Sequence, residues 1–128
     1  MDKETLVAAD LDTGDRLIEE LEKAGYPAEA VFWLYDSDPG RWSLWVSTPR
    51  ASLDLQGAYM AMRDIVAKLN AEGYEIGLVD INLVPPDDRL VKALDKRLHM
   101  KDTGRLRLKS LIAGRYYLED LVVYRTAA

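Results

Sequence analysis

The sequence predicts a single α+β domain over 1–128. Three observations carry that prediction. Apolar residues recur at threes and fours in three segments, which marks three helices. Five other segments are short, rich in aromatic and branched residues, and bounded by Gly, Pro or Asp, which marks five strands. The two kinds follow one another as α-β-β-α-β-α-β-β, the order of helices packed on a mainly antiparallel five-stranded sheet. The 128 residues, 48% apolar and 30% charged, suffice for one independent core.

The first helix is expected over about 12–24, or from one turn earlier. Asp12 and Thr13 are N-cap candidates, Leu17, Ile18 and Leu21 form the apolar stripe, and Gly25 with Pro27 ends it. AVFWLY (30–35) and WSLWVST (42–48) flank DSDPGR and read as a hairpin. Leu53 to Ala71 is a long helical pattern with Leu55, Tyr59, Met62, Ile65, Val66 and Leu69 in phase, capped by Ser52 or Asp54 and closed by Gly73. YEIGLVDINLV (74–84) reads as a strand stopped by Pro85 and Pro86. Asp87 or Asp88 caps a third helix over about 88–100, with Leu90, Val91, Leu94 and Leu98 facing inward. RLRLKSLI (105–112) and RYYLEDLVVYR (115–125), joined at Gly114, form a second hairpin.

Several chemistries are excluded or weakened. Without cysteine there is no disulfide, no thiol nucleophile and no thiolate metal site. The one histidine, His99, sits near the end of the third helix, and no serine lies in G-x-S-x-G. Phosphate-cradling glycine loops of the G-x-x-x-x-G-K-[ST] or G-x-G-x-x-G type are missing. No lysine has an acidic residue two positions before it, which weakens a metal-nuclease reading. Neither a cofactor nor a metal centre is expected. The longest apolar run, 30–35, falls far short of the ~18 residues of a membrane span, and MDKETLVAAD lacks the basic and apolar regions of a secretory leader. A cytoplasmic protein that does not contact membrane is expected.

Charge is unevenly placed. Residues 1–88 hold 7 basic and 18 acidic side chains, net −11, whereas 89–128 hold 10 and 4, net +6. The densest stretch, 89–109, makes Arg89, Lys92, Lys96, Arg97, Lys101, Arg105, Arg107 and Lys109 candidates for binding phosphate or an acidic partner. Aromatic residues gather on the first hairpin, where Trp33, Tyr35, Trp42 and Trp45 form a candidate interface; a sheet apolar on both faces is covered by helices or by another subunit. Glu119 and Asp120, as successive strand residues, are expected on opposite faces, with Asp120 paired to Arg125 or Arg115.

The segments AVFWLYDSDPGRWSLWVSTP (30–49) and IAGRYYLEDLVVYR (112–125) resemble those of a group of small bacterial proteins of similar length that have no assigned function. The resemblance implies one compact domain in a bacterial cytoplasm and transfers no catalytic residue. The functional reading favoured by the sequence is a non-catalytic protein-interaction or regulatory domain, with self-association into a homodimer as one route. Nucleic-acid binding through the basic residues of 89–109 is the first alternative. A metal-assisted hydrolase using Asp36, Asp80, Glu119 or Asp120 is the second.

Overall fold

The computed structural model describes residues 4–127, so the first three residues of the N-terminal decapeptide lie outside the described residues. The chain runs α1 (Ala8–Lys23), β1 (Ala30–Asp36), β2 (Arg41–Ser47), α2 (Arg50–Leu53), α3 (Leu55–Ala71), β3 (Ile81–Val84), α4 (Arg89–Arg97), β4 (Leu106–Ala113) and β5 (Tyr116–Arg125). The five strands form one sheet in the order β3-β2-β1-β5-β4. All neighbours are antiparallel except β2 and β3, which run parallel. That exception follows from connectivity, because α2 and α3 carry the chain back across the sheet before β3 begins.

Both sheet faces are covered by the chain's own helices. On one face Val31, Trp33, Trp42, Leu44, Val46, Val122 and Tyr124 pack with Leu17, Leu21, Met62 and Leu69 of α1 and α3. On the other, Phe32, Val84, Leu111, Leu118, Leu121 and Val123 pack with Leu90, Val91 and Leu94 of α4. The unbroken apolar run of β1 records this two-sided burial: Val31 and Trp33 look one way, Phe32 the other.

The helix starts follow capping chemistry. The Asp54 carboxylate accepts from the Gly57 N–H at 2.9 Å, and that of Asp88 accepts from the N–H groups of Leu90 and Val91 at 3.0 and 3.1 Å. α1 begins a turn before Asp12, where Asp10 accepts from the Val7 N–H at 2.9 Å. The expected strand 74–84 is much shorter. Asn70 exchanges hydrogen bonds with the Ile76 backbone, and Asp80 accepts from the Gly77 N–H at 2.9 Å, which curls 78–80 into a 3-10 turn. α4 stops at Arg97 rather than near 100, because Leu98 is already extended.

A buried phenol joins the two ends of the chain. Tyr124 donates to the Leu11 carbonyl at 2.7 Å and accepts from the Trp33 indole N–H at 3.1 Å. Burial pushes its ionisation well above the ordinary tyrosine range. Gly14 of α1 lies directly against this ring, so a Cβ there would collide with the phenol.

α1 and α3 are tied by an ion network centred on Glu20, which is buried to 5% exposure. Its carboxylate accepts from Lys68 and from Arg16, both at 2.6 Å, and Arg16 also reaches Glu72 at 3.1 Å. Lys68 first, then Arg16, lowers the Glu20 carboxyl to about 2. A depressed acid stabilises the fold above the ordinary glutamate value of about 4.3, and that contribution fades as pH falls toward 2. Glu20→Gln is therefore expected to lower the thermal midpoint at pH 7 and to flatten its fall between pH 4.3 and 2, as followed by circular dichroism. An unchanged acid slope would contradict this role.

Candidate basic groove

Three of the eight basic residues proposed from sequence share one place. Leu90, Val91 and Leu94 turn α4 inward, which leaves Arg89, Lys92 and Lys96, at spacings of three and four, along its outward side. They line a groove of about 510 Å³ between α4 and the tip of the β4–β5 hairpin. The far wall is Gly114, Arg115 and Tyr116. Gly114 adopts φ 60°, the left-handed turn conformation, and a Cβ built on it would lie 3.4 Å from the Ala93 Cβ. The small pair at Ala93 and Gly114 thus lets the hairpin tip approach the helix and sets Arg115 beside the lysines.

Among the described residues, no acidic side chain lines this groove. Among the described residues, no ion pair involves Arg89, Lys92, Lys96 or Arg115. Of the acids near them in sequence, Asp88 caps α4 and Asp95 accepts from the Ala127 N–H at 3.0 Å. Burial raises the Asp95 carboxyl above its ordinary value, and the Ala127 N–H opposes that rise.

The other five basic candidates are elsewhere. Arg105 is neutralised by α1, with Asp12 at 2.7 Å and Asp15 at 2.5 Å, and these hydrogen bonds raise its pKa. Arg107 pairs with Asp120 at 2.7 Å and lies 5.6 Å above the Trp42 ring. Asp120 is thus held by Arg107, not by Arg125 or Arg115 as its sequence position suggested. Lys109 borders the same groove as Arg107, Lys101 sits with His99 beyond the end of α4, and Arg97 is exposed on α4 outside the basic groove. The 89–109 stretch is therefore not one surface. Arg115 and Tyr116 were not proposed from sequence as part of the cluster. The signal available was the Gly114 turn, which places them at a hairpin tip near the preceding helix.

The first hairpin's aromatics divide between core and surface. Trp33 and Trp42 are buried at 0% and 3% exposure. Trp45 is partly covered and stacks on Phe32 at 5.7 Å between ring centroids, and Tyr35 is partly covered beside Trp42 at 5.6 Å. Tyr35 and Trp42 border a second groove of about 590 Å³, closed on the other side by Arg107, Lys109, Glu119 and Asp120. Glu119 and Asp120 both reach it, contrary to the simple alternation expected of a strand. The alternation breaks at Ser110, whose φ is 54°, with the β4–β5 register the same on either side of it. Leu108 and Leu111, three apart, accordingly pack into the same cluster.

The carboxylates considered for a metal are dispersed. Asp36 accepts from the Asp38 N–H at 3.0 Å in the hairpin turn, Asp80 is paired to Arg41 at 2.5 Å, and Asp120 to Arg107. Among the described residues no three His, Asp or Glu side chains gather within metal-binding reach. Nor is any helix long and apolar enough to cross a membrane. Comparison with protein-family models, curated proteins and solved structures finds no match to this chain.

Proposed function

We propose that this protein is a non-catalytic interaction domain that receives an anionic ligand or partner in the groove between α4 and the β4–β5 tip, in the cytoplasm. The observation that carries the reading is the convergence of Arg89, Lys92, Lys96 and Arg115 on one groove that, among the described residues, no acid lines, in a chain of net charge −5 whose Arg105 and Arg107 are paired internally. Four unpaired cations in proximity repel one another, and a bound anion relieves that repulsion. Self-association through an open aromatic face is less favoured, because α1 and α3 cover one sheet face and α4 the other.

The test uses tripolyphosphate as probe, with calorimetry at low and moderate salt. The wild type is expected to bind with salt-sensitive affinity. Lys92→Glu/Lys96→Glu should lose at least tenfold. Arg97→Glu/Lys101→Glu changes net charge equally outside the groove and should change affinity little. Equal losses in both variants would mean diffuse charge attraction, and absence of wild-type binding at low salt would end the proposal.

A further inference from the structure

The basic groove does not end at Tyr116. Tyr116 also lines a second recess of about 340 Å³, together with Leu34, Leu90 and Leu118, and Asp36 and Glu119 belong to the same lining. Arg89 faces the first depression while its neighbour Leu90 faces the second. A four-cation track is thus joined, across one tyrosine, to an apolar recess with hydrogen-bond acceptors in its lining. The cations also extend along the helix. From Arg89 to Lys96 is seven residues, about 10 Å of axial rise, more than a single phosphate covers.

We infer that the ligand is a short single-stranded nucleic-acid segment, its phosphates on Arg89, Lys92, Lys96 and Arg115 and one amine-bearing base in the recess beside Tyr116. This inference rests on the anion-binding reading and names its ligand. Single strands are held by cations along the backbone and by aromatic rings against unstacked bases. The recess supplies the ring and apolar walls, and Asp36 and Glu119 can accept from the exocyclic amine of adenine or cytosine. An acidic peptide is disfavoured, because those carboxylates repel its side chains at the point where the groove becomes apolar. A base-paired duplex offers no free base to the recess.

The experiment is fluorescence anisotropy with labelled ten-nucleotide single strands of deoxyadenylate, deoxycytidylate or thymidylate. The competitors are polyphosphate, polyglutamate, adenosine monophosphate and a duplex of equal length. Single strands are expected to bind tightest, with a log–log salt slope of about −3 for four phosphate contacts. Deoxyadenylate and deoxycytidylate should bind more tightly than thymidylate. Adenosine monophosphate should bind more weakly than the ten-mer, since it fills one position of the track, and equal affinity would assign the site to a free nucleotide. Tyr116→Leu should cost about tenfold for the oligonucleotides and leave polyphosphate unchanged, with Tyr116→Phe restoring the loss. If polyphosphate binds as tightly as the single strands, the nucleic-acid inference fails while anion binding stands. If polyglutamate or duplex binds tighter, the inference is likewise overturned. If nothing anionic binds at low salt, both fail together.

Discussion

Gly14→Ala is expected to destabilise the protein by about 1–3 kcal/mol, the usual cost of overpacking a filled core. The sign is the informative part. In an exposed helix the same change stabilises by up to about 1 kcal/mol, because alanine is the better helix former. Here the new methyl would meet the Tyr124 phenol, which is buried to 0% exposure and fixed by the Trp33 indole and the Leu11 carbonyl. Tyr124→Phe should by itself cost about 1–3 kcal/mol, since it leaves the Trp33 indole N–H without that acceptor in a dry interior. The two changes should couple. Removing the hydroxyl removes the atom nearest to the new Cβ, so Gly14→Ala should cost less in the phenylalanine background. Urea midpoints at constant m-value measure each corner of the cycle, and strict additivity would place Gly14 away from the ring.

Leu94→Ala should have the largest effect on the proposed binding surface. Leu94 is 1% exposed and anchors α4 to the sheet with Leu90 and Val91. Truncating a buried leucine costs about 2–5 kcal/mol. α4 has only nine residues, too few for a helix to persist alone, so its order depends on this packing. The expected result is a destabilised protein whose α4 amides exchange faster than those of β1 and β5, together with loss of tripolyphosphate binding. Retained binding with an unprotected α4 would show that the cations need no helix to align them.

Much of the architecture was legible because local chemistry and tertiary need agree. Leu17, Ile18 and Leu21 mark α1's buried face, Asp54 and Asp88 cap the helices expected of them, and the Gly114 turn joins the strands predicted around it. The misread segment, 74–84, failed for a physical reason. Its apolar content suits a strand, but Asn70 and Asp80 capture the backbone groups of Ile76 and Gly77 that a strand would have offered to β2. The site was half legible. The spacing of Arg89, Lys92 and Lys96 marks one side of a helix, yet proximity in sequence also drew in Arg105 and Arg107. Their partners, Asp12, Asp15 and Asp120, are 13 to 93 positions away, and no linear pattern reveals such pairings. Arg115 was hidden for the converse reason, since it is distant along the chain from the lysines and adjacent only after the hairpin docks.

The strand order has a consequence for biosynthesis. β5 lies between β1 and β4, so the last strand to be made is the one that completes the flank of the first. Until Tyr116–Arg125 leaves the ribosome, β1 presents a row of vacant peptide groups and Trp33 lacks the Tyr124 hydroxyl. At ordinary translation speeds that interval lasts on the order of ten seconds. Between the making of β1 and that of β5 the nascent polypeptide thus carries an open sheet edge, which closes when Tyr116–Arg125 docks beside β1.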